Sequence, residues 1–413
     1  MHTPNSNVTT TDEGTGVNLR LAFMIMVTPF FIWGFITALN DILLPYLKGA
    51  FSLTYLQAGL VQFCFFAAYF IVSPFAGRMI EKIGYKNGII AGLLTVGLGC
   101  CLFYPAAEMS QYGLFLFALF VLASGIAMMQ VSANPYVAIL GPEKTAASRL
   151  NLAQAINSLG HTIGPYFGAV LILAVVSDEG SAKSVQMPYL IIAATVVLAA
   201  FVFYKLKLPN ITSKVVNTEE DEPFSMFSHS NLKYGVLAIF LYVGAEVAIG
   251  SYLVNFFLHL GITDMTEVTA GKMVSYYWGT AMFGRFAGAL IMQYVKPTTL
   301  LAINAALAVA MIIVAVNSTG EMAMWTILAV GFFNSIMFPT IFTLGIKGLG
   351  KHTGRGSGYL CQGIVGGALI PLIQGVAADA WSLQWSFLIP AACYFYIGWY
   401  ALVGSKVKNK RVN

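Results

Sequence analysis

Twelve windows of predominantly apolar residues run through this chain, near 20–47, 54–77, 86–107, 112–140, 149–176, 187–208, 233–260, 270–294, 298–316, 322–346, 356–379 and 384–404. Each is close to or above the roughly 20 residues that a helix needs to cross a bilayer. Lipid offers no hydrogen-bond partner to the backbone, so such windows must close their own bonds as helices. Charge agrees with this reading. Only 9% of the 413 residues are charged, against roughly a quarter in soluble domains, too few to coat a globule of this size. The expected fold class is an all-α membrane protein with twelve transmembrane helices. Residues 1–19 are polar, and no cleavable signal peptide is expected before the first window. Cys64, Cys100 and Cys101 lie within apolar windows, and neither a disulfide framework nor a Cys-x-x-Cys metal pattern is expected.

One long polar stretch, 205–233, divides the windows six and six. The expected organisation is an N-terminal tail (1–19), a first six-helix bundle (20–208), an inter-bundle loop (209–232), a second six-helix bundle (233–404) and a C-terminal tail (405–413). Basic residues set the orientation. With the N-terminus inside, all of the 22 Lys and Arg residues except Lys48, Lys183 and Lys272 fall on the inner side. Both termini and the inter-bundle loop are then cytoplasmic. The net charge of +5 reads as membrane topology. No basic stretch is interleaved with aromatics as in a nucleic-acid channel, and no nucleic-acid partner is expected.

The two halves look duplicated. "FAGRMIEKIGYK" (75–86) matches "FAGALIMQYVKP" (286–297), "RLNLAQAINSLG" (149–160) lies opposite "GSGYLCQGIVGG" (356–367), and "WGFITALNDIL" (33–43) aligns with "VGAEVAIGSYL" (243–253), all at nearly one offset. Parallel repeats of this kind hold a substrate site at their interface near the membrane midplane in one known transporter plan.

Polar groups inside the windows are the candidates for such a site. Of 17 acidic residues, only Asp41 and Glu246 fall well inside a span. A carboxylate at a helix centre costs roughly 2.5 kcal/mol or more on insertion scales, and an intramembrane ionisable group is a functional candidate by default. A structural salt bridge is the alternative, but no Lys or Arg is expected at comparable depth, Arg285 being read near an inner helix end. Gln154, Asn157 and His161 share one helical face by their spacing, and amides that both donate and accept suit a hydroxyl-rich ligand. Hydrogen bonding between helices competes for them. Gln130, and in the second half Asn334, Tyr359 and Gln362, are further ligand candidates. Asn134 precedes Pro135, so a helix-breaking role competes there. Trp33, Phe35, Tyr252, Tyr276 and Trp278 could stack on a sugar ring.

No phosphate-binding G-x-x-x-x-G-K-[ST] occurs, and neither H-E-x-x-H nor G-x-S-x-G. No catalytic residue, enzyme activity or cofactor is therefore expected, and any accumulation of solute would use an ion gradient.

The stretches 39–70, 132–143 ("SANPYVAILGPE"), 149–160 and 338–350 ("FPTIFTLGIKGLG") resemble the fucose–proton symporter family of the major facilitator superfamily, and "GRMIEKIGYKNG" (77–88) is similar to that superfamily's loop between spans 2 and 3. The resemblance covers nearly the whole chain. It implies two pseudo-symmetric six-helix bundles, alternating access and sugar–cation symport. It also implies that Asp41 is the titratable carboxylate of span 1, and that Gln154 and Asn157 bind sugar. The fucose branch carries a glutamate where this chain has Gln130, and a glutamine where it has Glu246. "YVGAEVAIGSYL" and "MMQVSANPY" look more like the glucose/galactose transporter branch.

The expectation is cation-coupled uptake of a hexose such as glucose or galactose across a bacterial inner membrane, by a functional monomer. Asp41 and Glu246 are the cation-coupling candidates, and Glu246 doubles as a sugar ligand. The coupling ion is sodium or a proton, with Asp41 as a metal ligand if sodium. Fucose, N-acetylglucosamine and mannose remain alternative substrates. A passive facilitator, a non-transporting sugar sensor and a drug–proton antiporter are the competing functions. Asp41→Asn should abolish gradient-driven accumulation while sparing sugar exchange, because an amide mimics a neutralised carboxylate but cannot titrate. Uptake by reconstituted vesicles with and without a gradient measures this, and undiminished accumulation refutes the role.

Overall fold

In the computed structural model, the described residues are 19–51, 55–168, 186–208, 224–263 and 265–407. The first half contains α1 (Leu19–Ala50), α2 (Tyr55–Ile83), α3 (Tyr85–Glu108), α4 (Tyr112–Ile139), α5 (Ala146–Gly168) and α6 (Gln186–Lys205). The second half contains α7 (Ser230–His259), α8 (Glu267–Ile291) and α9 (Pro297–Val316), followed by three broken spans. These are α10 (Gly320–Asn334) with α11 (Met337–Ile346), α12 (Thr353–Gln362) with α13 (Gly366–Ala380), and α14 (Leu383–Ser386) with α15 (Leu388–Trp399). Asp41 belongs to α1, but its side chain lies outside the described residues. So do the tails 1–18 and 408–413 and loop residues 209–223.

Ten of these spans are long and apolar enough to cross a membrane by composition. Over the described residues, the two that fall short are α5, described only to Gly168, and α8. Both are interrupted by polar groups, Asn151, Gln154, Asn157 and His161 on one and Lys272 and Arg285 on the other. They also pack against each other, and Asn151, Gln154, Ser158 and Arg285 are turned toward protein, whereas Lys272 is exposed.

Basic residues gather at one face, where they also finish helices. A helix leaves its last carbonyls without donors, and cations are favoured there by the dipole. Arg149 donates to the carbonyls of Val137, Ala138 and Pro142, which closes α4 at Gly141, a residue at φ 136. Lys86 donates to the carbonyls of Tyr204 and Leu206 at the end of α6. Asn231 does the same for Leu344, Gly345 and Lys347 after α11.

Two antiparallel seams join the halves. Along α2 and α12, Arg355 Nε lies 2.6 Å from Glu81 Oε2 and its backbone N–H donates to Oε1. Farther along, Gly77 faces Gly354 and Gly358 faces Ser73 so closely that a Cβ on Gly358 would lie 2.5 Å from the Ser73 carbonyl oxygen. Along α5 and α8, Ser148 donates to the Ala289 carbonyl and Asn151 to the Met292 sulfur. Under the duplication α2 corresponds to α8 and α5 to the span of α12, so the seams are each other's counterparts. The pair Glu143–Lys347, 3.0 Å apart, adds a link between the halves at the same basic face.

Prolines supply part of the glue. Pro74 and Pro135 sit inside α2 and α4, and each lacks the N–H that would bond the carbonyl four residues earlier. Those carbonyls are filled from the other half. Gln362 Nε2 donates to the Phe70 carbonyl at 3.2 Å, and Ser357 Oγ to the Val131 carbonyl at 2.8 Å. Gln362, expected as a sugar ligand, is therefore occupied by the backbone of α2.

Replacing Gln362 by Met strands a carbonyl, which should cost about 1–3 kcal/mol. In a Pro74→Ala background the helix regains its own donor and the same replacement should cost less. Thermal melts of the four-member cycle measure this, and equal losses in both backgrounds would refute the pairing.

Candidate functional site

Beyond the two seams, on the side away from the basic face, a cavity of about 410 Å³ lies between the halves. Its walls come from α1 (Trp33, Thr37), α2 (Gln62, Tyr69), α4 (Gln130), α5 (Gln154 to Thr162), α7 (Tyr242 to Ser251), α8 (Trp278, Arg285) and α11 (Phe338). Both halves therefore contribute to one space, at the interface where the internal repeat directed attention.

The α5 face forms as its periodicity predicts. Gln154, Asn157, Ser158, His161 and Thr162 all line the cavity. Gln154 Nε2 donates to Asn134 Oδ1 at 3.3 Å, and Asn157 Nδ2 to the Phe30 carbonyl at 2.9 Å. The second bond depends on a close approach of α1, because a Cβ on Gly34 would lie 2.2 Å from the Asn157 carbonyl oxygen. Gln130 lines the same wall and donates to the Tyr69 hydroxyl at 2.6 Å.

Across the cavity stands Glu246. Tyr242, one turn earlier on α7, donates to its Oε1 at 2.8 Å, and Arg285 Nη2 lies 3.6 Å from the same oxygen. Both charged side chains are largely buried, at 14% and 12% exposure for Arg285 and Glu246. The cation is itself fixed on two further sides. Its Nε donates to the Ser335 carbonyl at 3.2 Å, which Pro339 leaves without a helical donor, and its Nη1 donates to Ser158 Oγ in the other half. This corrects the expectation that Glu246 has no cation at its depth. Helix α8 continues to Ile291, so Arg285 sits more than a turn inside it, and its long side chain reaches inward to the carboxylate.

Gln130 and Glu246 thus face one cavity. Other candidates go elsewhere. Asn334 is fully buried in the second half, donating to the hydroxyls of Tyr277 at 2.7 Å and Tyr394 at 3.1 Å. Tyr359 stacks at 6.3 Å on Phe224 of the inter-bundle segment. Neither they nor Gln362 are part of the cavity wall. Among the aromatics, Trp33 and Trp278 line it. Phe35 packs on Phe167, Tyr276 on Trp325, and the Tyr252 hydroxyl donates to the Pro371 carbonyl. Sequence reasoning missed Tyr69, Tyr242, Ser158 and the inward aim of Arg285. Ser158 had a signal, since it lies one turn from Gln154, and so had Tyr242, one turn from Glu246. Among the described residues no group of three His, Cys, Asp or Glu side chains could hold a metal ion.

Two helical halves around one polar, ion-paired cavity, joined by seams toward the basic face, define a multi-pass membrane transporter. Comparison with known proteins agrees. The family model described as Major Facilitator Superfamily matches residues 21–361, and the chain belongs to that superfamily. It is 49% identical over 406 residues to the glucose/galactose transporter of Brucella abortus biovar 1 (strain 9-941), covering 98% of each chain. It is 37% identical over 414 residues to the L-fucose-proton symporter of Escherichia coli (strain K12), covering 94% of this chain and 93% of the other. Among solved structures it matches the transporter FucP in the outward conformation, with a TM-score of 0.87 and 36% identity over 94% of this chain and all of that one. These relatives are transporters, not enzymes.

Removing one member of a buried ion pair leaves the other uncompensated, at a cost of about 3–5 kcal/mol. Arg285→Met should therefore lower the melting temperature sharply. Adding Glu246→Gln removes the stranded charge and should recover a large part of the loss. A double variant no more stable than Arg285→Met would refute the pairing.

Proposed function

We propose that this protein is a proton-coupled hexose symporter of a bacterial inner membrane, taking up glucose or galactose by alternating access. The observation that carries the reading is the cavity itself, in which amide donors and acceptors from the first half face a carboxylate–guanidinium pair from the second. Hexose hydroxyls donate and accept, and this wall offers both. Relatives named as glucose/galactose transporters support the hexose. Relatives named as fucose–proton symporters favour a proton over sodium.

In this mechanism Gln154, Asn157 and Gln130 bind sugar hydroxyls from one side, and Glu246 accepts from the other. Tyr242 and Arg285 hold its carboxylate in one place, which suits a fixed acceptor. Ionised acceptors make the stronger hydrogen bonds. Asp41 is assigned the coupling proton, as the resemblance implies. Proton occupancy then raises sugar affinity, and by linkage sugar raises proton affinity by the same factor. The two bundles, 20–208 and 233–404, rock about the site. The excess of Lys and Arg at one face supports placing that face, and both termini, in the cytoplasm. One chain supplies the whole cavity, consistent with a working monomer.

Counterflow of labelled D-glucose and D-galactose into proteoliposomes, with and without a proton gradient, tests the reading. Concentrative uptake is expected only with the gradient. Equilibration without concentration would make the protein a facilitator, and no counterflow of either sugar would overturn the hexose assignment. Gln154→Ala and Asn157→Ala should each weaken sugar binding by roughly 5- to 150-fold, because hydroxyls lose their partners in a desolvated site. Native affinity in both variants would move the sugar elsewhere.

A further inference from the structure

The α5–α8 seam does not end at the ion pair. Past Ser158–Arg285 it continues to Thr162, whose hydroxyl lies 4.0 Å from the Met282 sulfur, and then to His161 and Trp278. Those two rings come from opposite halves, with centroids 6.2 Å apart and planes at 42°. This is within the range of aromatic contact. Both line the cavity. Trp278 lies two helical turns before Arg285 on α8, so its backbone stands roughly 10 Å farther from the basic face than that of Arg285.

Trp278 is held as a rigid plate. Tyr277 packs against it edge-on at 5.2 Å and 77°. On α7, Gly250 leaves room for the indole, since a Cβ there would lie 3.1 Å from Trp278 Cζ2. With Gly250 behind it, a plate displaced by a side chain at that position has the cavity to move into. A hexose reaching Glu246 from the side away from the basic face would pass this pair, and an indole offers a flat apolar surface to the C–H face of a pyranose.

We propose that, among the described residues, the His161–Trp278 contact closes the cavity on the side away from the basic face, and that it sets how fast a bound sugar exchanges. The proposal rests on the hexose reading above. His161, first considered as a sugar ligand, then acts on passage more than on affinity. The sugar's equilibrium grip stays with the amides and Glu246, while the contact between the rings must open for each entry and exit. Removing one ring therefore speeds both directions together.

The test uses the full-length protein in proteoliposomes with labelled D-galactose and D-glucose, measuring the dissociation constant and the rate of exchange separately. His161→Ala should speed exchange roughly two- to tenfold, the scale of one aromatic contact, with the dissociation constant changed less than the rate. His161→Phe keeps a ring at the position and should return the rate toward native. Gly250→Ala keeps both rings but pushes the indole off α7, and should slow exchange. Thermal melts identify any variant that has lost its fold, and the other two then carry the test. Native exchange in His161→Ala overturns the proposal, as does a His161→Phe rate equal to that of His161→Ala. A weakened dissociation constant with an unchanged rate makes His161 a ligand and also overturns it. Failure of the unmodified protein to bind either hexose overturns the sugar reading and this proposal with it, whereas binding with unaltered variant kinetics overturns this proposal alone.

Discussion

A carboxylate at the depth of Glu246 is costly in a membrane protein unless it is paired, and much of the site is arranged around meeting that condition. Arg285 supplies the charge. Arg285 is in turn held by a backbone carbonyl of its own half and a hydroxyl of the other. The pair therefore shapes one wall of the cavity and also joins the two halves. A guanidinium can do this because its donors fan out in a fixed plane, so one side chain serves a carboxylate, a carbonyl and a serine together.

The same economy of partners runs through the seams. Lipid cannot satisfy a carbonyl that a proline has freed. The carbonyls of Phe70, Val131 and Ser335 instead take donors from Gln362, Ser357 and Arg285. Two of these three bonds cross between the halves, so an irregularity inside one half becomes an attachment point for the other. Glycines at 77, 354 and 358 let the backbones of α2 and α12 approach closely. The result is a sealed basic face and a cavity beyond it, an arrangement that matches the outward-conformation FucP structure in overall shape. Alternating access, as proposed, would require cross-half bonds of this kind to be made in one arrangement and lost in another.

Length, apolar periodicity and the distribution of Lys and Arg determined that this chain spans a membrane many times, in two similar halves, because each of those properties is a one-dimensional consequence of the bilayer. The face of α5 was legible for the same reason, since a helix turns spacing into direction, so Gln154, Asn157 and His161 had to point together. The polarity that keeps α5 and α8 from reading as lipid-facing spans was also in the sequence. Tertiary structure alone decided what each polar group meets. Asn334 and Gln362 look as ligand-like as Gln154 does, yet one is enclosed by Tyr277 and Tyr394 and the other serves a carbonyl on α2. Arg285, which orientation counting assigns to a helix end, turns inward to Glu246 on another helix. Helix geometry sets which way a side chain faces. Only the packing of helices remote in sequence sets what lies there, and in a membrane that partner separates an amide at a cavity wall from one enclosed between helices.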